Sequence, residues 1–177
     1  MTIVPHHGPI DPLQEVMPWA RHYVEVMNWP IFVLGHAKTT LRNCDACYVA
    51  GPEHDREQCA CLTCHGFYAA TRDLERLERM LRVGRSSGGG LLALRTGRAS
   101  GITVIDAESS GDVVDDGAGG NLVTGLDVLD EWEQWVGEGR ELGRTLRART
   151  RSGGLHLFYL TGEERIKSRG RVLPAVD

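Results

Sequence analysis

The stretch Leu91-Leu-Ala-Leu-Arg-Thr-Gly-Arg-Ala-Ser-Gly-Ile-Thr-Val-Ile-Asp-Ala-Glu108 decides the fold. Its two apolar runs, LLAL and ITVI, are too short for ordinary helices and lie on either side of Gly97 and Gly101, so they read as strands buried on both faces. Together they form the expected core sheet of a lobe that begins near residue 88. At the end of the second run, Asp106 and Glu108 follow the two-residue period of a strand, so both side chains leave from one face, close together. Two carboxylates so placed repel each other unless a cation lies between them. Mg2+ and Mn2+ suit that seat, because hard cations take oxygen ligands and keep positions open for water and phosphate. The plainer reading of an isolated Asp-x-Glu is a strand that has reached solvent.

Downstream, Ser109 to Gly125 is rich in Gly and Asp and predicts a mobile loop. A helix follows from about Leu126 to Leu142, with Leu129, Trp132 and Val136 on its inner face. Arg151-Ser-Gly-Gly-Leu-His156 then leads into the strand LHLFYL, residues 155–160. Glycines let a backbone approach a phosphate, Ser152 offers a hydroxyl and an amide, and His156 at the strand start can point back over the turn. The same residues also suit an ordinary hairpin turn followed by a half-buried histidine.

Upstream, Asp11 to Asn28 places Leu13, Val16, Met17, Ala20, Val24 and Met27 at helical spacing. Asp11-Pro12 opens the helix, and Pro18 either kinks it or marks its first turn. Pro30 to Leu34 reads as a short strand, and Gly35 to Phe67 is a polar excursion without clear periodicity. Thr71 or Asp73 caps a helix running to about Val83, with Leu74, Leu77 and Leu81 in one stripe. Ser86 to Gly90 breaks that helix and divides the chain into lobes 1–87 and 88–177. The expected class is α/β (α+β).

The polar excursion holds all five cysteines of the chain. Cys44-x-x-Cys47 and Cys61-x-x-Cys64 are knuckles thirteen residues apart, which suits a tetrahedral zinc built from four thiolates. Cys59, His54 or His65 could replace one of the four. Cys61-x-x-Cys64-His65 also fits covalent c-type haem, but that attachment needs export, and the N-terminus carries no basic start or apolar signal. A cytoplasmic, reducing setting is therefore expected, where metal binding prevails over disulfides. No apolar run is long enough for a membrane span.

At 177 residues, 41% hydrophobic and 25% charged, the chain suits one packed domain or two small lobes. Its net charge of −4 excludes a protein that coats nucleic acid by bulk positive charge, but the average conceals a segregation. Residues 106 to 133 hold nine acids and no Lys or Arg, whereas 140 to 171 hold nine basic residues against three acids. That pattern fits a cation site beside a phosphate-holding surface, although each charge run alone is ordinarily a solvated face.

In order and spacing, these pieces resemble the bifunctional primase-polymerase domain of the archaeo-eukaryotic primase superfamily, as found in phage and plasmid replication proteins. The matching frame is PIFVLG, Lys38, Gly66-Phe-Tyr-Ala-Ala-Thr71 before Asp73, LRTGRASGITVIDAE, RTRSGGLHLFYL and the closing RVLPAVD. The resemblance implies an N-terminal αβ lobe, with a zinc-binding insertion at 44–65, packed on an RRM-like catalytic lobe. It implies Asp106, Glu108 and Asp177 as ligands of two catalytic Mg2+ or Mn2+ ions, with Ser152, His156 and Arg151 toward the nucleotide. The implied activity is primer synthesis on single-stranded DNA from NTPs or dNTPs, with a replicative helicase as partner. Relatives continue past the final Asp through a glycine-rich turn and a further strand, which implies a longer chain or a complementary C-terminal polypeptide here. The competing expectation is a zinc-ribbon nucleic-acid-binding module whose catalytic site is incomplete.

Overall fold

The structure, a computed structural model, describes residues 11–41, 44–49, 54–62, 64–86, 89–114, 119–135, 144–162, 166, 170 and 173–177. It divides into two compact units, 1–95 and 96–177, and mixes helix with antiparallel sheet.

In the first unit, α1 (Pro12–Arg21) begins where the Asp11 carboxylate accepts a 2.9 Å bond from the Leu13 N–H, with proline in the first turn. The expected single helix to Asn28 changes pitch: after Pro18, which has no N–H to donate, the chain widens into a π turn over His22–Val26. Asn28 stops it in the left-handed conformation (φ 54°), which short polar side chains tolerate. β1 (Ile31–Leu34) follows, then a 3-10 turn at His36–Lys38 and the short α2 (Asp45–Val49). A second 3-10 turn, Gly66–Ala69, leads to α3 (Leu74–Ser86). Of the two candidate caps, Asp73 holds the helix start, accepting from the N–H groups of Glu75 and Arg76 at 2.9 and 3.1 Å. Leu77, Met80 and Leu81 of α3 are fully buried, as is Ile31 of β1. Gly84 lets α3 lie flat on β1, because a Cβ there would sit 2.8 Å from Val33 Cγ1.

β2 (Leu91–Leu94) corrects the expectation for the LLAL run. It pairs antiparallel with β1, Ile31 opposite Leu94 and Leu34 opposite Leu91, and the unit boundary lies after Arg95 rather than after residue 87. The physical reason is the return at Gly89-Gly90: Gly90 has φ +102° and donates to Leu34 O at 2.9 Å. An apolar run specifies a strand but not its partner.

The second unit contains β3 (Ile102–Ala107), β4 (Asp112–Val114), β5 (Asn121–Val123), α4 (Gly125–Trp135), β6 (Leu146–Arg149) and β7 (Leu155–Leu160). Its sheet has the order β3-β7-β6 with both pairings antiparallel, so β3 and β6 run parallel on either side of β7 with α4 between them in sequence. This is a split βαβ arrangement. One face carries Ile105, Ala107, Leu155 and Leu157, packed against Val128 and Leu129 of α4 and against Val176. A fully buried leucine such as Leu157 contributes about 1.5–3 kcal/mol.

The expected loop at 109–125 carries the antiparallel hairpin β4-β5 among its described residues, with Asp112 opposite Val123. Thr124 and Asp127 cap α4 reciprocally: Thr124 N–H donates to Asp127 Oδ2 at 2.9 Å and Asp127 N–H to Thr124 Oγ1 at 3.2 Å. The Thr124 hydroxyl and N–H hold the Asp127 carboxyl below its ordinary range. Val136 and the rest of the expected helix to Leu142 lie outside the described residues, as do Arg165, Lys167, Arg169 and Arg171. No helix among the described residues is long and apolar enough to cross a membrane.

Candidate functional site

The second unit aligns the residues singled out at the ends of its strands. In the β3-β7 register Asp106 lies opposite His156, and His156 Nε2 sits 3.3 Å from Asp106 Oδ1, with both side chains partly exposed. On the other edge of β3, residues 175–177 pair antiparallel with it. Asp106 N–H donates to Asp177 O at 2.8 Å, Asp177 N–H to Asp106 O at 2.9 Å, and Glu108 N–H to Ala175 O at 2.9 Å. Asp106 and Asp177 thus form a narrow hydrogen-bonded pair, with Cα atoms about 5.5 Å apart and side chains on a common face. Asp177, Asp106 and His156 therefore stand in one row across three adjacent chain segments, on the face opposite α4. Glu108 comes one residue after β3, and Ser110 Oγ donates to its carboxylate at 2.8 Å.

Two glycines make that row possible. A Cβ on Gly125 would lie 2.6 Å from Glu108 N and 2.9 Å from Ala107 Cα, and one on Gly154 would lie 2.5 Å from Ala107 O. The turn at Arg151 to Gly154 is thereby tied to the end of β3: Ser109 Oγ donates to Ser152 O at 2.5 Å, and Ser152 Oγ lies 3.0 Å from Thr150 Oγ1. Arg151 and Ser152 are exposed. Sequence reasoning missed Asp112, whose Oδ2 accepts from Ala175 N–H at 3.0 Å and so steadies the segment carrying Asp177. It also missed β6, whose alternating Leu-Arg-Ala-Arg is exposed throughout.

The first unit gathers its ligands more tightly. Among the described residues, two groups of His, Cys, Asp or Glu have ligand atoms within 4.8 Å of one another: Cys44, Cys47, Cys61, Cys64 and Cys47, His54, Cys59, His65. Both lie in the cysteine loop, and the described carboxylates of the second unit form no such group. Cys44 Sγ is 3.5 Å from Cys61 Sγ, and Cys47 Sγ is 3.5 Å from Cys61 Sγ. Sulfurs at 2.3 Å from a tetrahedral zinc are about 3.8 Å apart, so the first group, the set expected from the knuckle spacing, fits a zinc ion.

The thiols are split electrostatically. The Cys47 N–H, followed by contacts from Cys61 and Cys47 sulfurs, holds Cys44 down to about 7. Burial opposes ionisation of Cys59, but the Cys61 N–H and the His54 ring outweigh it and hold that thiol down to about 6. Cys61 is pushed up to about 12, first by its contact with Cys44, and Cys47 is pushed far up by burial and by Cys59 and Cys61. So many thiols in one place cannot all ionise without a cation, and a divalent ion would supply that charge.

Two arginines moor the loop. Arg76 Nη2, on α3, donates to Cys59 O at 2.9 Å and Cys61 O at 3.0 Å. Arg95, at the end of β2, pairs with Glu57 at 2.7 Å and lies over the rings of Phe67 and Tyr68. Neither arginine was legible as part of the metal loop, since both are remote from it in sequence. No family model matches the chain, and searches of curated proteins and of solved structures give no match.

Proposed function

We propose that this chain is a template-directed nucleotidyl transferase of primase-polymerase type, in which Asp106, Glu108 and Asp177 hold two Mg2+ or Mn2+ ions and the Ser152–His156 turn receives the incoming nucleotide. The observation that carries the reading is the single row formed by Asp177, Asp106 and His156. Backbone ladders bring together two acids 71 residues apart, and a histidine follows the glycine turn on the next strand. The split βαβ unit, extended at the β3 edge by residues 175–177, supports the reading, which calls for an RRM-like lobe.

The chemistry asks little more of the protein than placed oxygens. Asp106, Glu108 and Asp177 would hold the two ions, which when bound would supply a lowered pKa for an attacking 3′-hydroxyl and charge to offset the triphosphate and the leaving pyrophosphate. Asp106 and Asp177, clamped by the main chain, would orient ligand oxygens. His156, beside Asp106, would stand toward the phosphates at the mouth of the turn. Arg149 and Arg151, exposed on β6 and its turn, would hold template or triphosphate by charge, making binding sensitive to salt. A single-stranded DNA template, NTPs or dNTPs and a helicase or complementary polypeptide are the partners this reading calls for, in phage or plasmid replication.

The test is incorporation of labelled NTPs or dNTPs on single-stranded template with Mn2+ or Mg2+. Asp106→Ala with Glu108→Ala should lower the rate on the order of a thousandfold or more. Wild-type incorporation no higher than that of the double variant would sink the polymerase reading. DNA binding that survives both substitutions would then leave a zinc-bearing nucleic-acid-binding module.

A further inference from the structure

We infer that the cysteine loop holds two zinc ions rather than one, the second bound by His54, Cys59 and His65 and joined to the first through a shared Cys47 thiolate. Two tetrahedra that meet at one corner need seven ligands. The loop supplies seven, because its two ligand groups have Cys47 in common.

The distances place Cys47 at that corner. Its Sγ is 3.5 Å from Cys61 Sγ of the first group, and 3.5 Å from Cys59 Sγ and 3.7 Å from His54 Nε2 of the second. In a tetrahedral site with Zn–S near 2.3 Å and Zn–N near 2.0–2.1 Å, S···S and S···N edges are about 3.8 and 3.5 Å. The second group therefore already has the dimensions of a coordination shell. The His54 and His65 rings sit together at 5.0 Å between centroids.

Each group also has its own N–H to sulfur bond, the usual support of a metal-bound thiolate: Cys44 N–H donates to Cys64 Sγ at 2.9 Å, and Cys61 N–H to Cys59 Sγ at 3.4 Å. His65 has φ +70°, a left-handed conformation that a non-glycine residue adopts only at a steric cost. Gly66 adopts the same left-handed conformation without cost, so the two residues turn the chain just after Cys64, where the His65 ring joins the second group. Charge points the same way: a single zinc among five thiolates leaves a large negative excess, whereas two zincs nearly balance it. The two seats differ in access. Cys64 of the first is fully buried, while Cys47, His54 and His65 line a cavity of about 490 Å³ beside Tyr48 and Tyr68, which gives the second ion an entry path.

The experiment is the zinc content of the full chain by mass spectrometry, together with 113Cd NMR of the cadmium-loaded protein. Wild type should hold two equivalents, and both Cys59→Ser and His54→Ala with His65→Ala should hold one. The cadmium protein should give two resonances, with the Cys47 β-protons coupled to both. One equivalent in wild type overturns the second site, and two equivalents retained in both variants overturns its ligand set. Coupling of Cys47 to a single cadmium overturns the shared corner; that measurement and the wild-type stoichiometry need no variant to fold.

Discussion

The cysteine loop and the acid row both gather side chains of metal-ligating type, but they are assembled by different forces. In the row, the backbone does the placing: Asp177, Asp106 and His156 are neighbours because main-chain bonds of a sheet put them there. In the loop, α2 spans five residues, and the described residues between it and Gly66 form no helix or strand. The ligands themselves crowd together, with sulfurs 3.5 Å apart. A ladder can hold carboxylates in register without an ion, whereas a cluster of thiols needs one to offset its charge. The difference teaches that ion removal and backbone disruption should strike the two regions in opposite ways.

The largest effect should come from metal removal. Chelation should free the loop, raising amide exchange at Cys44 and Cys61 by at least about a hundredfold, given that structural zinc contributes on the order of 10 kcal/mol in small sites. The β3-β7 amides should keep their protection. Equal loss in both regions, followed by hydrogen exchange, would break the distinction.

A smaller effect is expected at Gly125, where a side chain would press on Glu108 N and Ala107 Cα. Gly125→Ala should cost about 1–3 kcal/mol in urea unfolding and detach residues 175–177 from β3. Zinc content should stay at its wild-type value. An Asp106 amide that keeps its protection in the variant would show that the segment is held by something other than that close approach.

The smallest effect sharpens the electrostatic side of the comparison. Asp127 is held below its ordinary range by Thr124, so its contribution is fully present above the unfolded aspartate value and is lost as pH falls through its depressed folded value. Asp127→Asn should lower the melting temperature slightly at neutral pH and flatten its decline below about pH 4, where the wild type loses the same contribution. An identical acid limb in the variant would assign that decline to other carboxylates.

Much of the row was legible because a strand's period is strict: ITVIDA fixes which of its residues share a face, and LHLFYL does the same for His156. The cysteine knuckles were legible for a similar reason, as two short spacings with one chemistry. What stayed hidden depends on partners. The LLAL run says strand, yet its pairing with β1 comes from the return at Gly89-Gly90, and no periodicity encodes that. The exposed Leu146–Arg149 looks like a basic loop until β7 supplies its hydrogen bonds. The His54, Cys59, Cys47 and His65 group has no repeating interval, so only the folded loop shows it as a set.

Arg76 gives the metal loop a mechanical consequence. Its guanidinium grips two carbonyls of the loop from a helix in which the neighbouring Leu77, Met80 and Leu81 are fully buried. A change at the ion centre is therefore transmitted by a rigid strut into the hydrophobic interior, so the loop behaves less like an appended bead than like a keystone for the helix beneath it.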